Sequence, residues 1–230
     1  MPNVPTLLVP ALSPAVRGAV RIGLVQASPV RVGPASPDLK AAMEDLARSL
    51  ASRHAGRSPS EIPGLEHARD LYHAFGVDPT RTRPSSEALL RRVLQGKPLP
   101  RIVNAVDFSN FCSLRFLLPI GLYDADKIRG PVSLRKGESE ESYPGIRKEA
   151  VHLHGRLVLA DDEGPFGNPT SDSLRTSVTE GTERLFMVVF APGSFSRDLM
   201  AANVELAKEG MARYLAPFAD PVVTSGAVLP

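Results

Sequence analysis

The sequence predicts an α+β fold in which helices, then strands, then a closing helix surround one core, without the strict alternation of a doubly wound sheet. Three observations carry this. The 22 prolines and 18 glycines of the 230 residues are scattered along the chain, which divides it into short elements joined by shaped turns and disfavours a long helical bundle. Apolar residues recur at helical intervals between residues 36 and 118, and in short extended runs thereafter. One of those runs, Leu185 to Phe190, is apolar on both faces, as in a central strand. A hydrophobic share of 43% and a charged share of 23% are ordinary for a globular chain, so the whole of 1–230 is expected to fold as one domain.

Taken in order, Val20, Ile22 and Leu24 alternate with Arg21 and Gly23 as in a half-buried strand, with Val30 and Val32 as the expected partner. Ser36-Pro37-Asp38 reads as a cap, a proline at the first helical position and an acid in the first turn. Leu39, Met43, Leu46 and Leu50 then share one face of a helix ending near His54. A second helix runs from Leu65 through Leu71 to Phe75 and closes at Gly76. Ser85 or Ser86 is expected to cap a third, with Leu89, Leu90, Val93 and Leu94 inside and Arg91 and Arg92 outside. Ile102 to Leu118 reads as a fourth helix, stopped by Pro119. Short strands follow at Val132–Leu134, Leu157–Leu159 and Leu185–Phe190. Ser194 or Ser196 caps a last helix carrying Met200, Val204, Ala207, Met211 and Leu215. The tail Val222–Pro230 has no clear pattern.

The longest uninterrupted apolar run, Leu185 to Ala191, is about a third of the ~20 residues a membrane-spanning helix needs. The N-terminus has no basic region followed by an apolar core, so a cytoplasmic protein without a membrane partner is expected. The single cysteine, Cys112, sits among Phe111, Leu114 and Phe116 and is expected to be a buried thiol. The net charge of only +2 argues against a protein built chiefly to coat nucleic acid. Locally the balance differs: Arg81, Arg83, Arg91, Arg92, Lys97 and Arg101 face a single acid, Glu87. Such a segment suits phosphate contacts, or is simply a solvated helix face.

Two polar constellations stand out. Asn104, Asp107 and Asn110 recur every three residues and so share a ridge of the fourth helix, suited to a polar ligand or to satisfying neighbouring backbone. Gly164 to Thr176 combines shape-fixing glycines and prolines with polar side chains, the composition of a rigid binding loop or of a self-bonded turn. In the first case Asp172 would accept an ammonium and Arg175 would clamp a carboxylate or phosphate. Asn168, Thr170 and Thr176 would orient a small polar molecule. The ridge and the loop are expected to line one pocket. His152 and His154 lack a third ligand, and no phosphate-binding loop, Rossmann glycine pattern or nucleophile elbow occurs. Neither a metal nor a cofactor is therefore expected.

Asn104-x-x-Asp107-x-x-Asn110, Leu118-Pro119-Ile120-Gly121-Leu122-Tyr123-Asp124-Ala125-Asp126-Lys127-Ile128-x-Gly130, the strand Val132 to Arg135 and Leu157-Val158-Leu159-Ala160-Asp161-Asp162 resemble the B3/B4 module of the phenylalanyl-tRNA synthetase beta subunit. Arg83 to Arg92 and Gly164 to Thr176 are similar to stretches of stand-alone B3/B4 proteins. The resemblance is best over 65–191 and weaker over the flanks 1–64 and 192–230. It implies an α+β fold with a β-sandwich core flanked by helices, and an RNA-associated role. Binding of tRNA, aminoacyl-tRNA or an amino-acid-like small molecule is the expected activity, without amino-acid activation. Hydrolysis of a wrongly charged tRNA and a protein-interaction role are the alternatives. The sequence departs from the family at two places. Where the Pro-x-His-x-x-Asp stretch carries histidine this chain has Gly121, and the glutamate at the end of the late strand is replaced by an apolar residue around Val188 to Phe190.

Overall fold

A computed structural model describes residues 6–146, 148–216 and 222–230. Its elements run β1 (Ala11–Leu12), β2 (Val20–Ser28), α1 (Pro37–Arg53), α2 (Leu65–Ala74), α3 (Ser85–Leu94), α4 (Asn104–Phe116), β3 (Ile120–Asp124), β4 (Ser133–Lys136), β5 (Ser142–Gly145) and β6 (Lys148–His152). They continue with β7 (Leu157–Asp161), β8 (Gly164–Gly167), β9 (Leu185–Pro192), α5 (Arg197–Tyr214) and β10 (Val223–Leu229). One sheet has the order β10-β2-β9-β3, a second β1-β4-β7-β8, and β5 pairs with β6 as a hairpin. The chain is thus an α+β protein built on a sandwich of two sheets, with helices against the outer face of the first.

Strand β9 shows why. All eight of its residues are buried, and the period of two sends them in opposite directions. Phe186, Val188 and Phe190 join Ile22 and Leu24 of β2 in packing against Leu134, Leu157, Leu159 and Phe166 of the other sheet. Leu185 and Met187 point the other way, into a cluster with Leu39 and Met43 of α1, Phe108 and Cys112 of α4, and Ala207 and Met211 of α5. Burying each large apolar side chain contributes roughly 1.5–3 kcal/mol, so a strand apolar on both faces holds the two layers together. Burial also pushes the Cys112 thiol up, which makes it an inert core group.

The helix starts follow their cap chemistry. The Leu39 amide donates to Ser36 Oγ (3.2 Å) at the head of α1, and the Leu199 amide to Ser196 Oγ (3.3 Å) at the head of α5. At α3 neither serine caps: Pro84 stands at the cap position, and Ser85 and Ser86 are the first two helical residues. Two close approaches seat α5 on its sheet. A Cβ on Gly23 would lie 2.7 Å from Met200 Sδ, and one on Gly226 2.7 Å from Val204 Cγ1, so only glycine lets the helix come this near.

Two expectations are corrected. Val30 and Val32 are buried beside α1 but form no strand, and follow a cis Ser28–Pro29 bond. The partners of β2 are β9 and β10, both antiparallel. β10 arises from the tail that shows no pattern, because an edge strand half-buried along nearly its whole length has no alternation to read. Among the described residues no helix is long and apolar enough to cross a membrane.

Candidate functional site

The most elaborate polar construction is the turn after β8. Asn168 is buried, and its Oδ1 accepts from the amides of Thr170 (2.7 Å) and Ser171 (2.9 Å) while its Nδ2 donates to Tyr143 Oη (2.9 Å). Tyr143 in turn donates to the Ser171 carbonyl (2.5 Å). From α2, Tyr72 donates to the Pro169 carbonyl (3.0 Å) and accepts from Thr170 Oγ1 (3.1 Å). The Ile146 amide holds the Asp172 carbonyl, and the Ser173 amide holds that of Phe166. Residues 168–173 are therefore fixed from α2, β5 and β8 at once, which is preorganisation of the kind a binding loop needs.

Asp172 ends this loop. Its Oδ2 accepts a long hydrogen bond from the Leu122 amide (3.4 Å), while Oδ1 is shut off from solvent and has no hydrogen-bond partner among the described residues. Burial raises the carboxyl to about 7, and the neighbouring Tyr123 hydroxyl and Leu122 amide only partly offset it. Tyr123 is completely buried, edge-on to Phe166 at 5.0 Å between ring centroids. Its hydroxyl stands near enough to Asp172 for each to shift the other's titration, yet makes no hydrogen bond of good geometry among the described residues. A cavity of about 300 Å³ opens beside the loop, lined by Ser85, Ile120, Ile146 and residues 168–172.

Next to it runs a basic groove of about 760 Å³, lined by Arg83, Arg91, Arg92, Lys97 and Asn110 among others, and sharing Ser85 with the cavity. Two of its arginines are held by Glu87, which is buried and receives Arg91 through one hydrogen bond (2.9 Å), with Arg83 at 3.8 Å, and also receives Arg69 of α2 through two (2.9 Å each). Burial opposes ionisation of Glu87, but the arginine hydrogen bonds outweigh it and hold the carboxyl below its usual range. Arg83, Arg91, Arg92 and Lys97 line the groove with no acidic side chain among its lining residues. Arg92 donates to the Pro98 carbonyl.

The six basic residues do not form one face. Arg101 turns towards α1, donating to Met43 Sδ (2.9 Å) and pairing with Glu44 (3.2 Å). Arg81 lines a separate concavity with His154 and Arg156. The expected single pocket of ridge and loop is also corrected. Asn104 Oδ1 accepts from the Gly33 amide (2.9 Å) and its Nδ2 donates to the Arg31 carbonyl (2.8 Å), so it pins the segment leading into α1. Asp107 accepts from the Ile102 amide (2.9 Å) at the start of its own helix, and burial raises its carboxyl. Neither lines the cavity, whereas Asn110 lines the groove. Arg175 clamps a carboxylate of the protein itself, donating to both oxygens of Asp161 (3.0 and 2.7 Å) and to Glu163 (3.2 Å). Thr176 is fully buried and donates to the Phe166 carbonyl (3.4 Å). Of the loop residues, Asn168, Thr170 and Asp172 remain at the cavity.

Sequence reasoning missed Tyr72, Tyr123 and Tyr143. They are three of the chain's four tyrosines and come from three elements distant in sequence. Among the described residues no group of three or more His, Cys, Asp or Glu side chains is placed to hold a metal ion.

Comparison with known proteins finds relatives of this chain. The beta subunit of phenylalanine–tRNA ligase from Streptomyces avermitilis is 30% identical over 159 residues, covering 66% of this chain and 18% of that subunit. The uncharacterized protein YhzB of Bacillus subtilis is 28% identical over 94 residues, 41% of this chain and 39% of that protein. An N-terminal fragment of the phenylalanyl-tRNA synthetase beta subunit from Pyrococcus horikoshii aligns over 92% of this chain and 50% of its own, at 16% identity and a TM-score of 0.40. The chain thus spans under a fifth of the Streptomyces subunit and about two fifths of YhzB. The B3/4 domain model matches residues 67–218, from α2 into the segment after α5, and so takes in the loop, the cavity and the groove. The chain belongs to the B3/4 domain family.

Proposed function

We propose that this chain binds the charged end of a tRNA, the aminoacyl group entering the cavity at residues 168–172 and backbone phosphates lying along Arg83, Arg91, Arg92 and Lys97, without activating the amino acid. One observation carries the reading: Ser85, at the start of α3, lines both the polar cavity and the basic groove. A ligand with a small polar end and a polyanionic body fits that adjacency, and a free amino acid fits only half of it. Phosphate contacts would supply affinity and the cavity the discrimination. Similarity to the beta subunit of a tRNA ligase supports the same class of ligand.

A second reading, deacylation of the bound ester, is favoured by a single feature. A carboxyl near 7 is partly ionised at neutral pH, the range suited to a general base. Asp172 would take a proton from water as its oxygen attacks the ester carbonyl, and return it to the departing ribose oxygen. Filter retention of tRNA carrying each of several labelled amino acids, beside uncharged tRNA, tests binding, and release of label tests hydrolysis. Charged tRNA is expected to be retained at lower protein concentration than uncharged tRNA. Equal retention of the two, or none of either, would refute the binding reading.

A further inference from the structure

We infer that the cavity selects a free primary ammonium, Asp172 being its counter-ion and Tyr123 the positioning residue that fixes Asp172. The ligand class is then an α-amino ester or amino acid whose nitrogen is not acylated. This rests on the proposed function only in taking the tRNA-borne amino acid as the natural ligand.

The carboxylate of Asp172 lacks a counter-charge among the described residues. Oδ1 of Asp172 is buried and unpartnered among the described residues, and Oδ2 has one long hydrogen bond. The other residues lining the cavity are all uncharged. Arg175, the cation nearest in sequence, spends its guanidinium on Asp161. A carboxylate with no cation beside it, one long hydrogen bond and one oxygen shut off from water is costly, and the cost is relieved by a group that brings positive charge and several donors together. An ammonium brings three N–H donors in a small volume. An amide or hydroxyl offers fewer donors and no charge, and an anion meets no cation in this cavity. Acylating the amine removes the charge and adds bulk, so it acts twice against binding.

Tyr123 determines where the carboxylate sits. Its phenol passes between two glycines of facing sheets: a Cβ on Gly121 would lie 2.0 Å from Oη, and one on Gly167 2.2 Å from it. Wedged in this way and fully buried, the ring is held in one rotamer, and its hydroxyl stays close to Asp172. Tyr123 does not line the cavity, so it acts on the ligand through Asp172.

The test has two arms on the full chain. In the first, calorimetry compares the methyl esters of alanine, serine, phenylalanine and tyrosine with their N-acetylated forms. In the second, one aminoacyl-tRNA is compared with the same tRNA after N-acetylation. The free amine is expected to bind at least tenfold more tightly in both arms, the worth of a charge-assisted hydrogen bond. Asp172→Asn should bring free and acetylated forms within about twofold. Tyr123→Phe keeps the ring but removes the neighbouring hydroxyl that favours the carboxylate, so the pH midpoint of amine binding should move upward while the melting temperature stays near that of the wild type. Selection among the small esters without preference for charged tRNA would uphold the ammonium site and sink the tRNA reading. Preference for charged tRNA that acetylation leaves intact would do the reverse. No selection for the free amine in either arm, or an unmoved midpoint in Tyr123→Phe, would overturn the respective assignment of Asp172 or Tyr123.

Discussion

The hydroxyl of Tyr123 lies 2.0 Å from the point where a Cβ on Gly121 would stand. Two residues apart on one strand, they face the same side of the sheet, and the phenol occupies the room that any side chain at 121 would take. Glycine at 121 is what leaves the phenol of Tyr123 its room.

Gly121→Ala should therefore be costly, by about 1–3 kcal/mol of overpacking. The cost should shrink when Tyr123 is also shortened to leucine. Urea unfolding of both single variants and the double variant measures the coupling. Additive losses would mean that the two residues do not compete for space.

Asp172 makes stability depend on pH in a stated direction. Its folded value of about 7 lies above the ordinary 3.8, so the native state binds this proton more tightly, and the associated stability is complete below about 4 and lost as pH rises through about 7. At about 1.4 kcal/mol per unit the full effect is a few kcal/mol. Asp172→Asn should remove it, leaving the variant more stable than the wild type at pH 8 but not at pH 4, as read from denaturation midpoints across that range.

Glu87 carries the opposite sign. Its lowered carboxyl supplies stability that is present above its ordinary 4.5 and lost as pH falls through the folded value. Glu87→Gln should cost roughly 1–3 kcal/mol at pH 7, with half-exposed Arg83 and Arg91 placing it towards the lower end. A variant as stable as the wild type would show that the three arginines need no common partner.

If phosphates follow the groove, reversing Arg92 and Lys97 to glutamate should flatten the log–log salt dependence of tRNA affinity by about 0.9 per lost contact on duplex, or 0.7 on single strand. Arg101→Glu should leave the slope unchanged, because that side chain is turned away to Met43 and Glu44 of α1. Arg91 is unsuited to this test, since reversing it would set a second acid beside Glu87. An equal effect of all three reversals would indicate a general field in place of a groove.

What the sequence disclosed was mostly local. Ser36 and Ser196 cap as their patterns say, and an apolar run without alternation becomes the central β9. The site was only half legible, for reasons of distance. Asn168, Thr170 and Asp172 announce a loop by composition, but the tyrosines that brace it stand alone in their own segments. No periodicity marks a single Tyr72 or Tyr143. Arg175 reads as a free cation because Asp161 lies 14 residues away, across a strand turn. Asn104 and Asp107 reveal their role only when Gly33 and Ile102 are seen to need a hydrogen-bond acceptor.

The pairing of β10 with β2 has a consequence for behaviour in solution. β10 covers β2 from Ile22 to Ser28, a segment whose residues are nearly all buried. Stripped of that cover, β2 would present a row of open amides and carbonyls on an apolar strand, a template onto which another chain can add. Strand β10 thus puts a less buried edge in place of the apolar edge of β2. A variant lacking 222–230 should remain dispersed only at low concentration, and light scattering that rises with concentration, beside a full chain that does not scatter, would expose the edge that β10 conceals.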